Sequence, residues 1–320
     1  MVKVGIIGGA GYTAGELIRL LLNHPQAEIV FVHSSSNAGN PVCRVHGGLW
    51  GETSLCFAAD YDLSSIDVLF LCSAHGKSRA FWQENTMPEG LKVIDLAQDF
   101  RDESDGYIYG LPEWQRERIK GATKIANPGC FATAIQLALL PLASAGALRD
   151  EVHITAITGS TGAGVKPGAT THFSWRSDNM SVYKAFEHQH LIEIGRTLRT
   201  LQPSFVDELN FVPMRGNFAR GILASVYTEC DLSAEEAKAL YKEYYGDAAF
   251  TFVAEGDIDL KQVTNTNKAL LSIAKHGNKL HVVSVIDNLL KGASGQAVQN
   301  MNLICGFDER EGLHLKPNAF

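Results

Sequence analysis

A chain of 320 residues exceeds one core of ordinary size and fits two domains, which run to roughly 100–200 residues each. With 45% hydrophobic and 20% charged residues it can bury a sizeable core, which sets disorder aside. The formal charge of -7 is spread along the chain without a Lys/Arg cluster to neutralise a phosphate backbone, which argues against a nucleic-acid partner. In chain order, residues 2–8 read as a buried strand. The run stops at Gly8-Gly9, far short of a signal segment or of the ~20 residues that cross a bilayer, so a cytoplasmic protein without a membrane partner is expected. Residues 13–23 (TAGELIRLLLN) follow as a helix with its apolar face at Leu17, Leu20 and Leu21, and residues 28–33 as a second strand. DVLFLC (67–72) and KVIDL (92–96) are two more such runs, with a helical stretch after Gly76 between them. Strand and helix alternate through the first hundred or so residues, the pattern of an α/β, doubly wound parallel sheet.

The rhythm then changes. FATAIQLALLPLASAG (131–146) is a long helix, ALLSIAK and KLHVVSV joined through His276-Gly277-Asn278 form a hairpin, and Ser233-Ala234-Glu235-Glu236 opens a helix with a capping box. An α+β domain with a largely antiparallel sheet is expected, with boundaries at 1–128 and 129–292 and a C-terminal helix, 293–320, returning to the first domain. Six cysteines, none in a C-x-x-C pair, suggest neither a disulfide framework nor a zinc site.

Gly8, Gly9, Gly11 and Gly15 lie between the first strand and the first helix, with Tyr12 and Thr13 at the helix start. Glycines there permit a tight turn and let a pyrophosphate approach the backbone at the helix N-terminus; the other reading is a plain strand-helix turn. After the second strand comes His33-Ser34-Ser35-Ser36-Asn37-Ala38-Gly39, without the carboxylate that binds the ribose hydroxyls of NAD. Hydroxyls of Ser35 and Ser36 suit a 2′-phosphate, which favours NADP, or are solvated turn serines.

Cys130 differs from the other cysteines because it follows Asn127-Pro128-Gly129 and opens the long helix. Unsatisfied N–H groups and the dipole at a helix N-terminus favour thiolate, Gly129 leaves room for a substrate, and Pro128 stiffens the turn. A thiolate beside a nicotinamide points to a thioester on one side of hydride transfer and an aldehyde on the other, against a buried structural cysteine as the alternative.

The stretch Ile125-Ala-Asn-Pro-Gly-Cys-Phe-Ala-Thr-Ala closely resembles the active-site signature of N-acetyl-γ-glutamyl-phosphate reductases, and the resemblance spans essentially the whole chain. It includes GAGYTAGELIRLL, DLAQDFR with YGLPE, EHQHLIEI, and DNLLKGASGQAVQNMN. It implies that Cys130 attacks the γ-acyl phosphate of an N-acylated glutamate, expels phosphate, and accepts hydride on the thioester to release the semialdehyde, in arginine biosynthesis. It also implies an NADP site made by the glycine loop with Ser73 and Asn288, a substrate contact at His188, and a homodimer or homotetramer. Arg101 and Arg220 offer guanidinium forks that match carboxylate or phosphate, or form ion pairs of the fold. The run Gly159-Ser-Thr-Gly-Ala-Gly164 is either an anion-holding loop or a flexible turn. His188-x-His190 has a spacing that would also suit metal ligands on a strand, but no third ligand is suggested nearby, and no metal is expected.

One position departs from the family. Six residues before the arginine of Arg220-Gly-Ile-Leu the family usually has a histidine thought to act as acid and base; here it is Met214, which carries no proton at neutral pH. Three accounts compete: Arg215 lowers the thiol pKa, another histidine such as His188 has taken over, or turnover has slowed. His188 is ranked first, and a changed pocket admitting another N-acyl group is a further possibility. Two rivals stand beside this reading. Aspartate-semialdehyde dehydrogenase shares the fold plan, but its cysteine usually follows Asn and not Gly; a non-catalytic NADP-binding sensor is motivated by Met214.

Overall fold

The computed structural model describes residues 1–318, which form two compact units, one of Met1–Pro128 with Ala293–His314 and one of Gly129–Gly292 with the residues from Leu315 on. The first unit runs β1 (Val2–Ile7), α1 (Tyr12–Leu21), β2 (Ala27–His33), a short α2 (Val42–Val45), β3 (Phe57–Ala58), β4 (Val68–Leu71), α3 (Ser78–Glu84), β5 (Lys92–Asp95), β6 (Ile108–Tyr109), α4 (Pro112–Lys120) and β7 (Lys124–Ala126). The strands lie in the order β3-β2-β1-β4-β5-β7-β6, each pair parallel. All four residues of β4 are buried, as a strand covered on both faces must be, and α1 buries Leu17, Leu20 and Leu21 as the periodicity indicates. The chain order reverses between β1 and β4, where such sheets open a crevice at the carboxyl ends of the strands.

In the second unit follow α5 (Cys130–Ser144), β8 (Val152–Thr158), a short α6 (Phe173–Arg176), β9 (Ser181–Val182), α7 (His190–Leu201), β10 (Leu209–Arg215), β11 (Ile222–Glu229), α8 (Ala234–Tyr244), β12 (Thr251–Val253), β13 (Ala269–His276) and β14 (Lys279–Ile286). Its sheet has the order β12-β13-β14-β11-β8-β10-β9, antiparallel except for the pairs β8/β10 and β12/β13. The long connection through α7 permits the β8/β10 crossover, since parallel neighbours cannot be joined by a tight turn. The expected hairpin is present, with His276 opposite Lys279 and Gly277 at φ 57°, a left-handed value that glycine adopts without strain. Helix α5 buries every residue from Phe131 to Ala143, because it is apolar all round but for Thr133 and Gln136, which donate to the Gly129 and Ala132 carbonyls.

The C-terminal helix is shorter than expected. A π-helical turn, Leu290–Ser294, leads into α9 (Gly295–Cys305), and Gly306 at φ 74° caps it in the left-handed conformation, so no helix continues through residue 318. Residues 319 and 320 of the expected helix lie outside the described residues.

Candidate active site

At the nucleotide end, Gly8 leaves β1 at φ 83°, and a Cβ there would sit 2.8 Å from the Cys72 carbonyl and 3.0 Å from Ser73 N. Only glycine lets the loops after β1 and β4 touch at this turn. Gly11 is the N-cap of α1, and a Cβ on it would meet nothing nearer than 4.0 Å, so the space above the helix N-terminus is open. That cradle fits a pyrophosphate on backbone N–H groups. Tyr12 is 41% exposed and the Thr13 carbonyl accepts from Ser294 Oγ at 2.7 Å. Ser35 and Ser36 are exposed at the end of β2, and Asn37 Nδ2 donates to Ser36 Oγ at 3.0 Å. Arg101, buried in the same unit, donates through Nε to the Asn127 carbonyl (2.9 Å) and through Nη2 to the Leu96 carbonyl (3.1 Å), which makes it a brace of the loop after β5.

In the second unit Cys130 is the first residue of α5, partly exposed and in no disulfide, with Gly129 as N-cap. Two glycines fix its place. A Cβ on Gly129 would lie 2.3 Å from His190 Nε2 and 2.7 Å from Glu193 Oε1, and one on Gly292 would lie 2.8 Å from the Cys130 Cβ. Gly129 N donates to Glu193 Oε2 at 3.1 Å, and the same carboxylate faces His190 Nε2 at 3.8 Å, so the buried acid of α7 anchors the turn that presents the sulfur.

His188 lies against Phe131, Tyr183, His190 and Phe211, with ring centroids 4.6–5.7 Å apart, and its Nδ1 accepts the His190 N–H at 3.3 Å. Burial, reinforced by the Lys184 and Arg215 cations, drives its pKa down to about 4, so at neutral pH it is a neutral imidazole and not the imidazolium that serves as a ready acid. The acid–base assignment read from the sequence therefore meets an obstacle. The two histidines also do not share a strand, since His190 already opens α7.

Arg220 donates to Asp287 through Nε (3.0 Å) and Nη2 (3.2 Å), so its fork is matched by a carboxylate of the fold. Asn288 accepts from Gly221 N (2.7 Å) and donates to Thr161 Oγ1 (3.0 Å), tying the start of β11 to the turn after β8. In the Gly159–Gly164 run, N–H groups of Gly159, Ser160, Thr161, Gly162 and Gly164 all go to main-chain carbonyls, which removes them as an oxyanion hole. Sequence reasoning passed over Glu193, although it is quoted in the His-x-His-x-x-Glu motif, and Tyr183, whose ring lies 4.6 Å below the Arg215 guanidinium. A glutamate three residues after His190 on an apolar helix face was the available signal for the first; nothing local marked the second.

Residues 3–122 match the semialdehyde dehydrogenase NAD binding domain and residues 130–288 the semialdehyde dehydrogenase dimerisation domain. A protein of Azobacteroides pseudotrichonymphae named N-acetyl-gamma-glutamyl-phosphate reductase is 62% identical over 100% of both chains. The chain belongs to this reductase family. A relative of the same name from Parabacteroides distasonis is 58% identical, again over 100% of both chains. Among solved structures, aspartate semialdehyde dehydrogenase II of Vibrio cholerae superposes with a TM-score of 0.75 over 96% of this chain and 98% of its own, at 18% identity, which speaks for the fold alone. The Candida albicans aspartate semialdehyde dehydrogenase with NADP gives 0.74 at 16% identity over 95% and 98%. The family membership thus agrees with the resemblance read from the cysteine signature.

Proposed function

We propose that the chain is an NADPH-dependent reductase of N-acetyl-γ-glutamyl phosphate, or of another N-acyl form, releasing the semialdehyde and phosphate in arginine biosynthesis. The observation that carries this reading is Cys130 at the start of α5, clamped between Gly129 and Gly292 in a chain of this family. The thiolate attacks the acyl carbon, a C–S bond forms, and the C–O bond to phosphate breaks with its electron pair leaving on phosphate. When bound, NADPH supplies hydride to the thioester. Gly8, Gly11, Tyr12, Thr13, Ser35, Ser36 and Ser73 would hold it, which the open cradle at Gly11 and the carboxylate-free turn at Ser35 support. Gly129 does not leave room for a substrate, as the sequence suggested, because His190 and Glu193 fill the space a side chain would take; it lets the turn that presents the sulfur pack against α7, and His188 stays neutral among its ring neighbours. Arg101 and Asn288 position loops, and Arg220 positions Asp287.

A homodimer or homotetramer fits the exposed apolar side chains Phe173 (81%), Ile192 (78%) and Phe186 (60%) in the domain whose family model carries dimerisation in its name. No helix among the described residues is long and apolar enough to cross a membrane, and the reading places the enzyme in the cytoplasm. The test is phosphate-dependent reduction of NADP⁺ with N-acetyl- and other N-acyl-glutamate semialdehydes. Activity abolished by Cys130→Ala supports the thioester route, and the preferred acyl group names the substrate. NADPH binding without turnover of any semialdehyde sinks it.

A further inference from the structure

The carbonyl oxygen of a Cys130 thioester gains charge when hydride arrives and needs a proton, yet Met214 has none and His188 is neutral with Nδ1 engaged. We infer that the Tyr183 phenol, held under the Arg215 guanidinium, carries that proton; the inference rests on the thioester reading above. Val182 pairs with Met214 across β9 and β10, and Tyr183 N donates to the Pro213 carbonyl at 3.1 Å, so strand alternation puts Tyr183 on the sheet face of Arg215, opposite to Met214. The Arg215 guanidinium carbon is 4.6 Å from the Tyr183 ring centroid, and Arg215 Nε is buried without a hydrogen-bond partner. The Tyr183 ring lies 5.7 Å from that of His188, which lies 5.4 Å from that of Phe131, the residue after Cys130; burial and then the charge of the Cys130 sulfur push the phenol up to about 12 while Arg215 pulls it down, which keeps the group protonated at neutral pH. Just beyond it, Lys184 (φ 47°) and Phe186 (φ 63°) hold left-handed backbone, a strained conformation that persists only where the surroundings fix it.

The step balances. Hydride adds to the thioester carbon, the C=O π pair moves to oxygen, and that oxygen takes the Tyr183 proton, leaving a tyrosinate against the Arg215 cation. When the C–S bond breaks, its pair leaves on Sγ as thiolate, the O–H pair re-forms C=O, and the proton returns to Tyr183.

Thioester reduction run in reverse isolates this step: first-turnover NADP⁺ reduction by an N-acyl-glutamate semialdehyde without phosphate. Tyr183→Phe is expected to slow it by about 10²–10⁴-fold, the usual contribution of a proton-transfer group, while Cys130 alkylation by iodoacetamide keeps its wild-type rate. Tyr183→His, which returns a proton carrier to the same position, is expected to recover about tenfold or more over Tyr183→Phe, which a merely structural tyrosine would not allow. If Tyr183→Phe does not fold by circular dichroism, Tyr183→His is expected to retain activity that Tyr183→Leu lacks. A Tyr183→Phe rate within about threefold of wild type, no recovery in Tyr183→His, or equal rates for the His and Leu variants overturns the inference. Cys130→Ala run alongside separates the cases, since its retained activity would instead overturn the thioester reading.

Discussion

An alanine at position 292 tests how tightly the fold places its cysteine. Its Cβ would lie 2.8 Å from the Cys130 Cβ, 3.2 Å from the Cys130 Cα and 3.3 Å from the Asp287 carbonyl oxygen. Carbon atoms pack best at about 3.5–4.0 Å, so from 2.8 Å one side must give by about 0.7–1.2 Å. Neither side is the loose end of a side chain: Cys130 opens α5, and Gly292 N donates to the Asp287 carbonyl at 2.9 Å. Overpacking of this kind costs about 1–3 kcal/mol. At about 2–4 °C per kcal/mol for domains of this size, Tm should fall by about 2–12 °C. Displacing a reacting atom by about 1 Å can cost about 10²-fold in rate, so kcat/KM should fall by about that factor, well beyond the loss of stability. Thermal melts and steady-state kinetics on Gly292→Ala, with Gly256→Ala as a control for a glycine that has open space around it and no left-handed backbone, measure both. Wild-type Tm and kcat/KM in Gly292→Ala would refute the claim that the π-helical turn fixes the nucleophile.

Other perturbations read separate links. Asp287 is fully buried and its carboxylate accepts from Arg220, Asn265 N (2.7 Å), Leu289 N (2.8 Å) and Leu290 N (3.2 Å), so Asp287→Ala removes the acceptor of one guanidinium contact and three amide hydrogen bonds. A loss of about 3–5 kcal/mol is expected in denaturant unfolding, and less than about 1 kcal/mol would show the pair to be dispensable. His188 has its folded pKa lowered to about 4 from 6.5, so the unfolded chain binds the proton more readily; its contribution to stability is full above 6.5 and lost as pH falls toward 4. His188→Asn should flatten the unfolding free energy against pH in that window, and an unchanged slope would contradict the buried neutral histidine. Ser233 Oγ accepts from Glu236 N at 3.2 Å, and Glu236 Oε2 accepts from Ser233 N at 2.8 Å. Removing that cap by Ser233→Ala should cost about 1 kcal/mol in the same assay and leave activity at wild type.

Local pattern was enough for much of this protein. The buried strands β1, β4 and β5, the apolar face of α1, the β13–β14 hairpin and the cap at Ser233 are short-range statements about periodicity, turn residues and helix ends, and the chain states them within a few residues. Cys130 was legible for the same reason, since its distinction lies in the Pro128-Gly129 before it and the helix after it. The length of α9 was misjudged because the apolar run gave no weight to Gly306, where the left-handed turn ends the helix. Partners distant in sequence were a different matter. That Arg220 is matched by Asp287, that Arg101 braces Asn127, that the Gly159–Gly164 amides are already paired, and that Tyr183 lies under Arg215 all depend on which strands and loops neighbour which. Burial then set the charge states, lowering His188 and raising Tyr183. Desolvation is a property of the packed surroundings, contributed by residues tens of positions apart, and no local stretch of sequence contains it.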